Sequence, residues 1–211
     1  MKESTDRSAA DFLPKTHSLT ALRAAAASCQ GCDLYQRATQ TVFGEGPVRA
    51  RIVFVGEVPG DYEDRQGHPF VGPAGRLLDK ALEEIAMDRG DVYVTNAVKH
   101  FKWEQVGKRR KHKKPLASEI RACHPWLEAE LAAIKPEVVV CLGKTAAEAV
   151  LERPVQLRKE QGSFVDGTNG AAVFITIHPS AILRFQEPEE RDREYERFVA
   201  ELRKVKRRIA H

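Results

Sequence analysis

Four short apolar runs punctuate the chain. Residues 50–56, 91–98, 136–143 and 172–177 are dominated by Val, Ile, Phe and Leu, and each reads as a buried strand. Helical spacing fills the intervals. Pro73 stands in the first turn of one predicted helix, and Leu77, Leu78, Ala81, Leu82 and Ile85 recur on its inner face. Further helices are predicted over 18–28, 118–134, 144–151 and 187–209, the last with Tyr195, Phe198, Leu202 and Val205 along one side. Strand and helix alternate throughout, and parallel neighbours need crossover helices. The pattern therefore predicts an α/β fold: a three-layer α/β/α sandwich around a four-stranded parallel sheet. Residues 57–72 and 99–115 read as loops, residues 1–17 as a flexible N-terminal arm, and residues 18–211 as one domain.

In such a fold, ligands sit beyond the carboxyl ends of the strands. The first strand runs into Gly56-Glu57-Val58-Pro59-Gly60-Asp61, and the second into Asn96 and then the basic loop. The third is followed by Gly143-Lys144-Thr145, and the fourth by His178-Pro179-Ser180. One sheet edge thus gathers carboxylates, an amide and histidines. No G-x-G-x-x-G follows a strand, and Gly143-Lys144-Thr145 lacks the leading glycine of a phosphate loop.

Charge sharpens the picture by its distribution. The formal net charge is only +4, yet Lys108-Arg109-Arg110-Lys111-His112-Lys113-Lys114 packs six positive charges into seven residues. Such density suits phosphate, although a solvated loop has the same composition. Hydrophobic residues at 42% and charged residues at 30% fit a globular protein, and no run approaches a membrane span. The polar start carries no secretory pattern, so a cytoplasmic, nucleoid-associated location is expected, without a membrane or an obligate protein partner and as a monomer.

The chain has four cysteines, Cys29, Cys32, Cys123 and Cys141, of which the first two form a C-x-x-C. Four thiolates could close one site for zinc or an iron–sulfur cluster; a redox pair with two buried cysteines fits the same spacing. Other residues carry paired readings too. Glu57 and Asp61 could orient a water or nucleophile, or cap the turn they flank. Phe70 could stack on a base or plug the core. Asn96 could read a pyrimidine edge through one donor and one acceptor, or bond at the strand end. His178, held extended by Pro179, could donate to developing negative charge or cap the next helix. His112 lies among cations that disfavour its protonation, and a neutral imidazole is a nucleophile or base.

Together these segments resemble the uracil-DNA glycosylase superfamily, and within it the iron–sulfur branch. Gly56-Glu57-Val58-Pro59-Gly60 is similar to that branch's first motif and His178-Pro179-Ser180 to its second. Lys108-Arg109-Arg110-Lys111-His112 is similar to the basic loop of the subfamily called UdgX, whose histidine bonds covalently to DNA. The resemblance implies uracil-containing DNA as partner, single-stranded by preference, and a [4Fe–4S] cluster on Cys29, Cys32, Cys123 and Cys141, with Zn2+ as the alternative. It implies a uracil pocket of Gly56, Val58, Phe70, Asn96 and His178, and a catalytic set of Glu57, Asp61, His178 and the nucleophile His112. Lys108, Arg109, Arg110, Lys111 and Arg184 would meet DNA. UdgX proteins carry glutamine where this chain has Val58 and an apolar residue where it has Lys111. Any side-chain amide that pins the basic loop is therefore lost or replaced. A glycosylase with ordinary turnover and a non-catalytic DNA-binding module remain the alternatives.

Overall fold

The computed structural model describes residues 7–167 and 170–210. After a 3-10 turn at Ala9–Phe12 come α1 (Leu19–Ala26), a second 3-10 turn at Asp33–Gln36, β1 (Ile52–Gly56), α2 (Asp61–Gln66), α3 (Pro73–Glu84) and β2 (Tyr93–Asn96). The chain continues through β3 (Trp103–Val106), β4 (Arg109–His112), α4 (Ala117–Ile134), β5 (Val138–Leu142), α5 (Lys144–Leu151) and α6 (Leu157–Glu160). It ends with β6 (Ser163–Asp166), β7 (Ala172–Thr176), α7 (Pro179–Ile182) and α8 (Pro188–Ile209).

β2, β1, β5 and β7 pair in parallel, as the apolar runs predict. Successive side chains point to opposite faces of a strand. Val53, Val55, Val139, Cys141, Val173 and Ile175 accordingly pack under α1, α4 and α5. Ile52, Phe54, Val138, Val140 and Phe174 pack under α3, α7 and α8. These are the three layers. Leu78, Leu82, Phe198 and Leu202 are each 0% exposed between α3, α8 and the sheet. Burying one such side chain contributes about 1.5–3 kcal/mol, against ~0–1 kcal/mol for an exposed ion pair. Apolar burial therefore holds this layer, not pairs such as Lys80–Glu84.

Three sequence expectations are corrected. A fifth strand, β6, joins β7 antiparallel at the sheet edge. It is short, with only Phe164 and Val165 half-buried between exposed Ser163 and Asp166, so its apolar signal is weak. Residues 99–115 are not a plain loop: β3 and β4 form an antiparallel hairpin that turns at Gly107, φ 57°. The expected N-terminal arm lies outside the described residues over 1–6, but its later part is docked. Ser8 Oγ accepts from Ala10 N at 3.2 Å, Ala9 is fully buried, and a Cβ on Gly31 would stand 2.5 Å from the Ala9 nitrogen. Among the described residues no helix is long and apolar enough to cross a membrane.

Candidate functional site

The carboxyl edge of the sheet gathers the candidate base-binding residues through close approaches, and this cluster is the candidate pocket. Gly56 ends β1 opposite Asn96, the last residue of β2. A Cβ on Gly56 would lie 2.3 Å from Asn96 Oδ1 and 2.8 Å from Phe70 Cζ, so only glycine lets amide and ring meet there. Phe70 takes a left-handed backbone, φ 59°, which costs a bulky residue on the order of 1–3 kcal/mol. Its carbonyl is seated on Gly75 of α3, where a Cβ would come within 1.7 Å. The Phe70 ring stacks on His178, centroids 6.3 Å apart at 27°. Val58, buried beside this loop, belongs to the apolar layer under α1 and α4.

His178 caps α7. Its Nδ1 accepts the Ser180 backbone N–H at 3.1 Å. A neutral ring that accepts at Nδ1 carries its proton on Nε2, which makes it a donor. Burial holds the ring neutral, with its pKa lowered to about 4, and the charges of Arg184 and His112 push the same way. Arg184 is tethered by Nε to the Ser180 carbonyl at 3.0 Å and stays exposed. Glu57 follows β1. Its Oε1 is buried without a hydrogen-bond partner. Burial raises its pKa, against the opposing pull of Lys114, a hydrogen bond from Thr145, and Arg184. A half-buried carboxylate with a free oxygen can accept a proton or orient a nucleophile.

His112 closes β4 opposite Trp103, with its ring 6.1 Å from that of Phe101. It keeps an exposed face. Burial of the remainder lowers its pKa, then Arg184 does, while Glu63 pulls upward. The shift has the direction expected from the sequence, but its causes are desolvation and Arg184 rather than the adjacent lysines. His112 lies within electrostatic reach of His178.

One arginine fastens the hairpin. Arg110 reaches down to Asp61 and Asp64, its Nη1 2.6 Å from Asp64 Oδ2, and its guanidinium lies 5.3 Å from the Phe101 ring centre. Asp64 is fully buried and also accepts from Thr39 N at 2.9 Å. The expected DNA contacts therefore divide: Lys108, Arg109 and Lys111 are exposed, whereas Arg110 is committed to carboxylates. Asp61, expected in catalysis, is half-exposed and its carboxylate is engaged by Arg110 and Arg65. Glu63 straps the loop by accepting from Gly60 N at 3.1 Å and Gly72 N at 2.8 Å. Sequence reasoning passed over Glu63 and Asp64; their spacing after Gly60 reads as ordinary helix-start acids.

Three cysteines meet away from the pocket. Cys29 and Cys32, after α1, and Cys123, on α4, act electrostatically on one another. Burial raises the Cys123 thiol to about 12, which a thiolate-binding metal group would reverse. N–H donors already aim at two of the sulfurs: Trp126 Nε1 at Cys29 Sγ, 3.2 Å, and Lys99 N at Cys123 Sγ, 3.3 Å. Donor chemistry and surroundings fit a metal–sulfur centre. Cys141 does not join them. It lies within β5 between the partner strands, and burial alone acts on its thiol. His100 is a further nitrogen donor in this region. It is 5% exposed and follows Lys99, whose amide meets Cys123. Thr41 Oγ1 gives its one proton to the Ala26 carbonyl at 2.8 Å, so at 2.9 Å from His100 Nε2 it must accept, leaving Nδ1 a free lone pair. Cys29 N bonds that same Ala26 carbonyl.

An aromatic ring, an amide, an imidazole donor and a carboxylate thus stand together at a parallel-sheet edge of an α/β scaffold, with exposed cations on the neighbouring hairpin. The model of the Uracil DNA glycosylase superfamily matches residues 43–203, and the chain belongs to that superfamily. It is 39% identical over 174 residues to a type-4 uracil-DNA glycosylase of Thermotoga maritima, covering 82% of this chain and 84% of that protein. A type-4 uracil-DNA glycosylase of Pyrobaculum aerophilum is 35% identical over 164 residues, 74% of this chain and 80% of its own. A type-5 uracil-DNA glycosylase of the same organism is 30% identical over 154 residues, with 65% and 64% covered.

Proposed function

We propose that this protein excises uracil from DNA and remains bonded to the deoxyribose through His112. What supports the second half is the place of His112 at the end of β4, its ring 6.1 Å from that of Phe101 and within electrostatic reach of His178 and Arg184. The type-4 relatives support the first half.

A stacked base is out of reach, so the deoxyuridine must be flipped, at a cost of a few kcal/mol that a single strand partly avoids. Phe70 stacks on the base. Asn96 pairs with its edge, where uracil accepts at O4 and cytosine donates at N4, so a fixed amide separates them. The bond from C1′ to uracil N1 breaks and its electron pair leaves with the base. The His178 Nε2–H stabilises that anion. The lone pair of a His112 ring nitrogen then bonds C1′, and the proton on the other ring nitrogen passes to Glu57 or water. Imidazole is a poor leaving group unless protonated or activated, so the sugar stays attached. Glu57 positions the ring; Lys108, Arg109, Lys111 and Arg184 dock phosphates.

A metal–sulfur centre held here would supply structure rather than bond chemistry, since its cysteines lie after α1 and on α4. We assign it as an iron–sulfur cluster held by Cys29, Cys32 and Cys123, with His100 Nδ1 in the place that the resemblance gives to Cys141.

The rival reading is conventional turnover, with water in place of His112, and the type-4 relatives favour it equally. Incubating the protein with a uracil-containing single strand and resolving it under denaturing conditions separates the two. A retarded protein–DNA band supports capture; alkali-labile DNA without that band supports turnover; neither product supports a binding module.

A further inference from the structure

The least expected group in the molecule is a buried cation that the chemistry above does not use. Lys99 and Glu130 are both 0% exposed, one just past β2 and the other in α4. Two charges are costly to bury, and fold stability alone gives little reason to keep them, since apolar side chains fill such a space as well or better. Their contacts are specific. Glu130 Oε1 accepts from Tyr93 Oη at 2.8 Å and Gly44 N at 3.0 Å, and Oε2 accepts from Thr95 Oγ1 at 2.9 Å and from Lys99 Nζ. The Thr95 hydroxyl, its proton given to Glu130, accepts from Lys99 Nζ at 2.7 Å. The third ammonium proton goes to the Asn96 carbonyl, also 2.7 Å.

That last bond bears on specificity. β2 is the outer strand of the five-stranded sheet, and Asn96 is its final residue. Its amide lies against Gly56, on the pocket side. Its carbonyl is bonded by a side chain three residues on, itself locked by a buried carboxylate on another layer. The peptide of Asn96 is thus fixed from behind while its side-chain amide lies against Gly56. The same Lys99 presents its backbone N–H to Cys123 Sγ. The segment from Asn96 to Lys99 is therefore anchored at one end in the pocket and at the other in the cysteine cluster.

We propose that the Lys99–Glu130 pair is a positioning device for Asn96: it orients the amide that reads the pyrimidine, and it joins that amide mechanically to the metal–sulfur centre. This rests on the reading of Asn96 as the base-reading residue.

The test is a double-mutant cycle on the cluster-loaded protein. K99M/E130Q removes both charges and leaves no buried ion unpaired. In that variant the side-chain amide at position 130 still accepts from Tyr93 and Gly44 through its oxygen, and its nitrogen can donate to Thr95. The variant is made with Asn96 present and in the N96A background, and iron content and the thermal midpoint are measured for each. Single-turnover uracil release is then followed against strand concentration. With Asn96 present the maximal rate should fall about 10- to 100-fold, the scale of an ångström-level misplacement. The strand concentration at half-maximal rate should change little, because the phosphate contacts are untouched. In the N96A background the same double substitution should cost less than about twofold, as coupling through one residue requires. Equal losses in both backgrounds, or no loss with Asn96 present, would overturn the proposal. If N96A alone leaves uracil release intact, the reading of Asn96 fails instead. Should K99M/E130Q not fold, K99M/E130M is read in the same two backgrounds.

Discussion

At the sheet edge Gly56, Asn96 and Phe70 are buried and mutually constrained, so the pocket is a property of the core. His112 reaches the same pocket from a hairpin whose strand β4 is exposed except at Arg110. The edge is held by many contacts, whereas the hairpin is held by the Arg110 guanidinium and by Trp103, whose Nε1 donates to the Arg37 carbonyl at 2.9 Å. The edge therefore suits any member of the superfamily, while under the proposed function the hairpin would decide what happens to the sugar afterwards. Arg110, on Asp61 and Asp64, does what a side-chain amide at position 58 cannot do here, since Val58 has none.

The comparison is broken most severely at Glu57. E57Q removes the only carboxylate with a free buried oxygen near the pocket among the described residues, and it should slow capture by roughly 10²–10⁴-fold in single-turnover rate. Binding of an uncleavable uracil strand should change little. Next comes the clamp. Removing Arg110 alone leaves Asp64 buried and charged, costing about 3–5 kcal/mol, visible as a lowered denaturation midpoint. R110M/D64N relieves that charge, and it should slow adduct formation about 10- to 100-fold while base release falls less. Equal losses in both steps would show that hairpin and edge are one unit.

The pH profile sharpens the same contrast. The pKa of His112 is lowered from 6.5, so the nucleophile stays neutral as pH falls through 6.5. His178, at about 4, keeps its donor proton on Nε2 over the same range. Glu57, raised from 4.5, is the group that takes up a proton earlier than a free carboxylate. Capture should therefore stay flat as pH falls from 8 through 6.5, with a decline only at lower pH, where Glu57 takes up its proton. An inflection at or above 6.5 contradicts the assignment. A smaller effect separates the cysteines: C123S should lose iron and acid-labile sulfide, whereas C141S keeps both. The smallest effect is expected on the exposed hairpin face. R109S should weaken strand binding uniformly across sequences and reduce the slope of log affinity against log salt by about 1.

Much of the edge was legible in the sequence because its strands are unbroken apolar runs and its functional residues fall at their carboxyl ends. The hairpin was not: Arg-Arg-Lys-His has no strand signature, and β4 exists because β3 pairs with it and Arg110 is drawn down by two carboxylates. The clamp and the Lys99–Glu130 pair join residues 31 or more apart, so no local spacing announces them. Grouping Cys141 with the other cysteines rests on economy of number. Its place between Val140 and Leu142 in a core strand is the local sign against it, and its alternation with Val139 puts it on the apolar face under α4. His100 shows no such sign, because its lone pair becomes visible only once Thr41 and Ala26 are in place.

The central claim is a bond between one imidazole and an anomeric carbon. It is tested most directly by digesting the protein after reaction with a uracil-containing strand and locating the DNA-modified peptide by mass spectrometry, beside H112S treated alike. The account predicts that the sugar is found on His112 and that H112S forms no denaturation-resistant adduct. An unmodified His112 peptide accompanied by free abasic DNA, or an adduct that persists in H112S, would contradict it.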